Sequence, residues 1–160
     1  MITDSSAQLL ARYNLSVKIA SAVIISAGSL VLIGWVFNIS VLKSIHPNFV
    51  AMKANAAIAL VILGISLWLQ SRVQDEPMAL GYARVGAFAV FLIGTLTLSE
   101  YVFGWDPHID QLIFKEGMDA VYTSSPGRMA PSTALNFLML GLAMFLLLMR
   151  SVKKAWHIQS

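Results

Sequence analysis

Ser99-Glu100-Tyr101-Val102-Phe103-Gly104-Trp105-Asp106-Pro107-His108-Ile109-Asp110-Gln111 closes one apolar run, and Pro126-Gly127-Arg128-Met129-Ala130-Pro131-Ser132-Thr133-Ala134-Leu135-Asn136-Phe137 opens the next. Long apolar runs separated by polar joints with aromatic residues at their ends are the pattern of helices that cross a bilayer. Within this joint, Glu100 sits inside the end of an apolar segment, Arg128 stands just outside the following one, and Asn136 lies about two turns into it. A carboxylate at membrane depth is costly unless paired, protonated or wetted, so the three polar groups are expected to gather at one depth.

Working outward, the chain divides into four such runs. Residues 17–37 form the first, an uncleaved helix too long for a signal-peptide core and without a small-x-small cleavage site. Residues 49–69 form the second, anchored by Trp68 and ended by Asp75-Glu76-Pro77; residues 81–105 form the third; residues 131–149 form the fourth, with Pro131 in its first turn. Before them lies a short lead over 1–16 and after them a tail over 151–160. Asn38 to Asn48 reads as an amphipathic connector and residues 106–130 as a long outer loop. The expected fold class is an all-α membrane protein, a four-transmembrane-helix bundle built from two parallel-repeat helical hairpins.

Composition agrees. Hydrophobic residues make up 58% and charged residues only 12% of 160, with mean hydropathy +0.73, far from the balance of a soluble domain. Four spans of about 20 residues leave no room for a separate catalytic domain. The absence of cysteine removes disulfides and thiolate chemistry, and the three histidines, His46, His108 and His157, have no ligand-spaced neighbours. Glycine-rich phosphate loops, a G-x-S-x-G elbow and H-E-x-x-H are all missing, so the chain reads as a non-enzyme with no metal. The net charge of +3 comes from basic residues beside phospholipid and not from a nucleic-acid surface.

Those basic residues set an orientation. Of eleven, seven (Arg12, Lys18, Arg72, Arg84, Arg150, Lys153, Lys154) fall on the side of the two termini, and four (Lys43, Lys53, Lys115, Arg128) on the other. Lys and Arg are retained on the cytoplasmic side, so both termini are expected in the cytoplasm and the outer loop on the periplasmic or exterior side. Arg84 is expected to snorkel, and Trp35, Trp68, Trp105 and Trp156 to anchor at the interfaces.

The two halves echo one another. Trp35-Val36-Phe37 parallels Tyr101-Val102-Phe103, and the interval from Met52 to Gly64 equals that from Met129 to Gly141. Two hairpins entering from the same side with matching patterns imply a parallel repeat about an axis along the membrane normal.

At the outer end the candidate ligand-binding residues are Glu100, Arg128, Asn136, Trp105, Tyr101, Asn55 and Lys53. In one reading Glu100 accepts a hydrogen bond or a proton, Arg128 binds a ligand carbonyl or anion, and Tyr101, Phe103 and Trp105 form an aromatic wall. In the other, Glu100 with Arg128 or Lys53 is a structural ion pair that pins the outer loop, and Asn55 and Asn136 are interhelical hydrogen-bonding groups.

Gly34-Trp35-Val36-Phe37-Asn38-Ile39-Ser40, Met52-Lys53-Ala54-Asn55-Ala56, Glu100-Tyr101-Val102-Phe103-Gly104-Trp105 with Ile109-Asp110-Gln111-Leu112, and Pro126 to Phe137 together resemble the four-helix membrane input region of bacterial sensor proteins. In that family the region precedes PAS, histidine kinase or diguanylate cyclase modules. The resemblance spans residues 34–149 and implies an inner-membrane sensor in a two-component or related pathway. No phosphoacceptor helix, ATP-binding lobe or cyclase motif lies within these 160 residues, so the chain is expected to be either a fragment of a longer sensor, with output in a cytoplasmic signalling domain, or a stand-alone relative with a changed role. The functional expectation is a signal-input module for a quinone-like lipophilic or periplasmic small molecule, in contact with membrane lipid and compatible with a homodimer. The alternative is a non-catalytic accessory subunit of a larger membrane complex.

Overall fold

The computed structural model describes residues 2–44, 51–73, 76–106, 114 and 125–159. It is all helical among these residues: α1 (Ile2–Val36), α2 (Ser40–Lys43), α3 (Ala54–Gln70), α4 (Pro77–Phe103) and α5 (Pro131–Gln159). Within α1, α4 and α5, the segments Gln8–Val36, Met78–Phe103 and Pro131–Met149 are long and apolar enough to cross a membrane, and α3 is a shorter apolar helix. The class defined by these helices is a helical membrane protein.

Helix boundaries follow local chemistry. No proline or glycine occurs before Gly28, so α1 runs unbroken from Ile2 and the expected separate lead over 1–16 is the first part of the same helix. The second apolar helix starts at Ala54, later than the expected 49, because Lys53 is still extended, with φ −70° and ψ 148°. Pro77 opens α4 four residues earlier than the expected 81, at a position where its missing N–H costs nothing. Gly104, in the left-handed region at φ 64°, ends α4 by donating its N–H to the Glu100 carbonyl at 3.1 Å. α5 continues past 149 to Gln159, so the expected tail extends the last helix. Of the connector after α1, Ser40–Lys43 is a single turn; His46 and Pro47 lie outside the described residues, as do Asp75, His108 to Leu112 and Lys115.

α1 packs along α3, α3 along α4, and α4 along α5, with a slighter contact of α3 with α5. Among the described residues α1 touches neither α4 nor α5, so the helices form a row open at its two edges and not a closed ring. The core between α3, α4 and α5 is rich in small side chains: Ala56, Ala59, Ala83, Ala87 and Ala134, filled in by Leu63, Val90, Phe137 and Met144. On α5 the buried positions Ala134, Phe137, Gly141, Met144 and Leu148 advance by alternating threes and fours. That seam keeps one stripe against α4, as in left-handed helix pairs.

The small residues permit close backbone approach, the usual basis of helix association in lipid. A Cβ added to Gly94 would lie 2.5 Å from the Leu138 nitrogen and 2.6 Å from the Ala134 carbonyl oxygen. One added to Gly141 would collide with the Phe91 backbone, its Cα at 2.8 Å. α1 and α3 meet in the same way, Gly28 against the Ala57 carbonyl and Gly64 against Ile25. Near the start of α4, Arg84, half-buried, donates from Nη2 to the Leu148 carbonyl at 2.9 Å. It ties α4 to α5.

Candidate functional site

The distinctive polar chemistry lies at the end of the row where α4 finishes and α5 begins. Glu100 sits one turn before the Gly104 cap and is 1% exposed. Arg128 follows a turn at Pro126-Gly127, with Gly127 at φ 77° and the Arg128 N–H donating to the Ser125 carbonyl at 3.3 Å. Glycine takes that left-handed backbone without strain, and the turn delivers the guanidinium over the end of α4. Arg128 Nε lies 2.8 Å from Glu100 Oε2.

Two further groups hold the guanidinium. Its carbon is 5.4 Å from the centroid of the Tyr101 ring, within cation–π range, and Nη2 is 3.8 Å from Asp106 Oδ1. Tyr101 also donates its hydroxyl to the Met129 carbonyl at 3.0 Å, and Met129 is itself buried. The end of α4 therefore grips the start of α5 through an ion pair, a phenol-to-carbonyl hydrogen bond and a cation over a ring. Asp106 is exposed, so Arg128 faces a desolvated carboxylate on one side and a solvated one on the other.

The joint between α1 and α3 also holds a side-chain-to-carbonyl bond and a cation over a ring. Trp35 donates Nε1 to the Met52 carbonyl at 2.9 Å, and the Lys43 ammonium sits 4.8 Å from the Trp35 ring centroid. Lys43 also donates to Asn38 Oδ1 at 2.7 Å. Phe114, from the connection between α4 and α5, reaches Trp35 with ring centroids 5.9 Å apart and so covers the first hairpin's end. Lys53, at the head of α3, is 4% exposed; Asn55, two residues further, accepts from the Ala56 N–H at 2.7 Å.

Of the expected site residues, the fold brings Glu100, Arg128 and Tyr101 into one cluster. Asn136 does not join them. It is exposed, because the α5 seam through Ala134, Phe137 and Gly141 fixes the helix phase and turns position 136 away from α4. The expected aromatic wall is also revised: Tyr101 is half-buried against Arg128, whereas Phe103 is 77% exposed and Trp105 donates Nε1 to Ser99 Oγ at 3.2 Å from an exposed position. Asp106, Lys43 and Phe114 were missed. Asp106 could have been found as a second carboxylate just beyond the helix cap; Phe114 had no local signal. No group of three His, Asp or Glu side chains that could hold a metal occurs among the described residues.

Compared with known protein families, curated proteins and solved structures, this chain matches none.

Proposed function

We infer that the chain is a signal-input module of the bacterial inner membrane, with four spans in two repeated hairpins and both termini cytoplasmic. It senses a quinone-like lipophilic or periplasmic small molecule at its outer end and relays the event to a cytoplasmic output partner. The observation that carries this reading is the Glu100–Arg128 pair, a desolvated charge pair placed where α4 clasps the head of α5. A small molecule with a carbonyl or anionic oxygen would compete with Glu100 for the guanidinium. The change would act directly on Arg128-Met129, the segment that opens a helix unbroken to Gln159. An unpaired intramembrane carboxylate would then need a proton or water, which gives the bound and free states different energies.

The duplicated architecture draws support from paired contacts. Trp35 to the Met52 carbonyl corresponds to Tyr101 to the Met129 carbonyl, and Gly28 against Ala57 corresponds to Gly94 against Ala134. Positive-φ residues Asn38 and Gly104 follow Trp35 and Tyr101 at the same interval. Buried polar pairs also serve purely structural ends. The discriminating experiment is purification in mild detergent with mass spectrometry of bound lipids, quinones and proteins. A retained small molecule that is lost in Arg128→Ala supports the sensor; a stoichiometric protein partner with no small molecule refutes it in favour of an accessory subunit.

A further inference from the structure

α5 carries a second seam. Ser132, Asn136, Met139, Ala143 and Leu146 advance by alternating fours and threes, as the buried seam does, yet every one is exposed. Exposed apolar side chains need no partner in a bilayer, and the outer face of α4 (Val85, Phe88, Leu92, Leu96) is of that kind. Asn136 is different. At 1.5 Å per residue it lies about 7.5 Å below Pro131, inside the apolar span, and its side chain makes no hydrogen bond among the described residues. Its carboxamide has two N–H donors and a carbonyl acceptor, and hydrocarbon satisfies none of them.

We propose that this second seam docks against the same seam of a second copy, with the two Asn136 carboxamides hydrogen-bonded to each other. Copies inserted in one orientation point their α5 helices the same way. A two-fold axis along the membrane normal then sets each residue opposite itself at the same depth. A carboxamide both donates and accepts, so it is its own complement; a different partner would need a matching amide at that depth. The four-three spacing is that of a parallel helix pair, and the small Ser132 and Ala143 on either side of Asn136 let the backbones approach. Among the described residues no other helix packs on this seam, since α4 occupies the other side of α5 and α1 lies at the far edge of the row.

The chain has no cysteine, which makes single substitutions clean reporters. The full chain is reconstituted in phosphatidylethanolamine–phosphatidylglycerol vesicles as Met139→Cys, Ala143→Cys or, on the outer face of α4, Leu92→Cys, and oxidised. Covalent dimers are expected at 139 and 143 and not at 92. In a second measurement, energy transfer between labelled copies gives the dimer dissociation constant; Asn136→Leu should raise it about threefold to thirtyfold and Asn136→Gln less. The cross-links keep Asn136 native and so do not depend on that variant's folding. Linking at 92 equal to that at 143, no dimer at 139 or 143, or indifference to Asn136→Leu would each overturn the proposal.

Discussion

Arg128 Nε lies 2.8 Å from Glu100 Oε2, and through this contact the turn that opens α5 is fastened to the last buried turn of α4. The Glu100 side chain has no solvent exposure and that of Arg128 only 12%, so neither charge recovers its hydration if the other is removed. Glu100→Gln and Arg128→Ala should each lower thermal stability in detergent, in the range of about 3–5 kcal/mol typical of stranding a buried partner. Glu100→Gln combined with Arg128→Ala should cost clearly less than the two single changes added. A double-mutant cycle that comes out additive would show the pair to be energetically idle.

Tyr101 and Trp35 make one comparable hydrogen bond each, to the Met129 and Met52 carbonyls. Tyr101→Phe removes the hydroxyl and keeps the ring under Arg128, so the expected loss is about 0.6–1.7 kcal/mol, the range of polar contacts between membrane helices. Trp35→Phe should lose a similar amount plus packing. Hydrogen exchange at the start of α5 should accelerate in Tyr101→Phe and stay unchanged in Trp35→Phe; acceleration in both, or in neither, would break the assignment of one clasp to each hairpin.

Some glycines are crowded by a neighbouring helix backbone, and others meet nothing. Gly94→Ala sets a methyl against the Leu138 nitrogen and the Ala134 carbonyl, where helix backbone cannot give way, and should cost about 1–3 kcal/mol. Gly81→Ala meets nothing within 4 Å and removes a poor helix former, so it should be neutral or gain up to about 1 kcal/mol. Thermal denaturation of the two variants side by side tests this; equal effects would mean that α4 and α5 are not in backbone contact at Gly94.

How much of this was legible in the residues depends on the distance over which they act. Pro77, Gly104 and Pro131 act within one turn, and of the helix ends they set the sequence located Pro131 closely and the other two within a few residues. The meeting of Glu100 with Arg128 was legible because a carboxylate inside an apolar run demands a partner and few cations lie at the same end. Asn136 shows where such reasoning stops. Its depth can be counted along the chain, but its direction depends on the phase of α5, which is set by side chains of α4 packing at Ala134 and Gly141. The approach of Phe114 to Trp35 spans about half of the chain and leaves no local trace.

The last prediction concerns α3. At 17 residues it measures about 26 Å, short of the roughly 30 Å hydrocarbon thickness, whereas the spans in α1, α4 and α5 are longer. A short helix can still cross where protein covers it, and α3 lies inside the row with α1 on one side and α4 on the other. Extended backbone at Lys53 adds reach at its head, and the Arg72 guanidinium over the Trp68 ring at 4.2 Å marks an interface at its foot. If α3 crosses, Ser44→Cys and Ser71→Cys should lie on opposite sides. In intact cells a membrane-impermeant maleimide should label position 44, and position 71 only after permeabilisation. Reporter fusions at Ser160 and within residues 115–125 should then fall in opposite compartments, with Ser160 in the cytoplasm. Labelling of both cysteines from outside would make α3 a re-entrant or surface helix, place the two termini on opposite sides, and end the four-span arrangement.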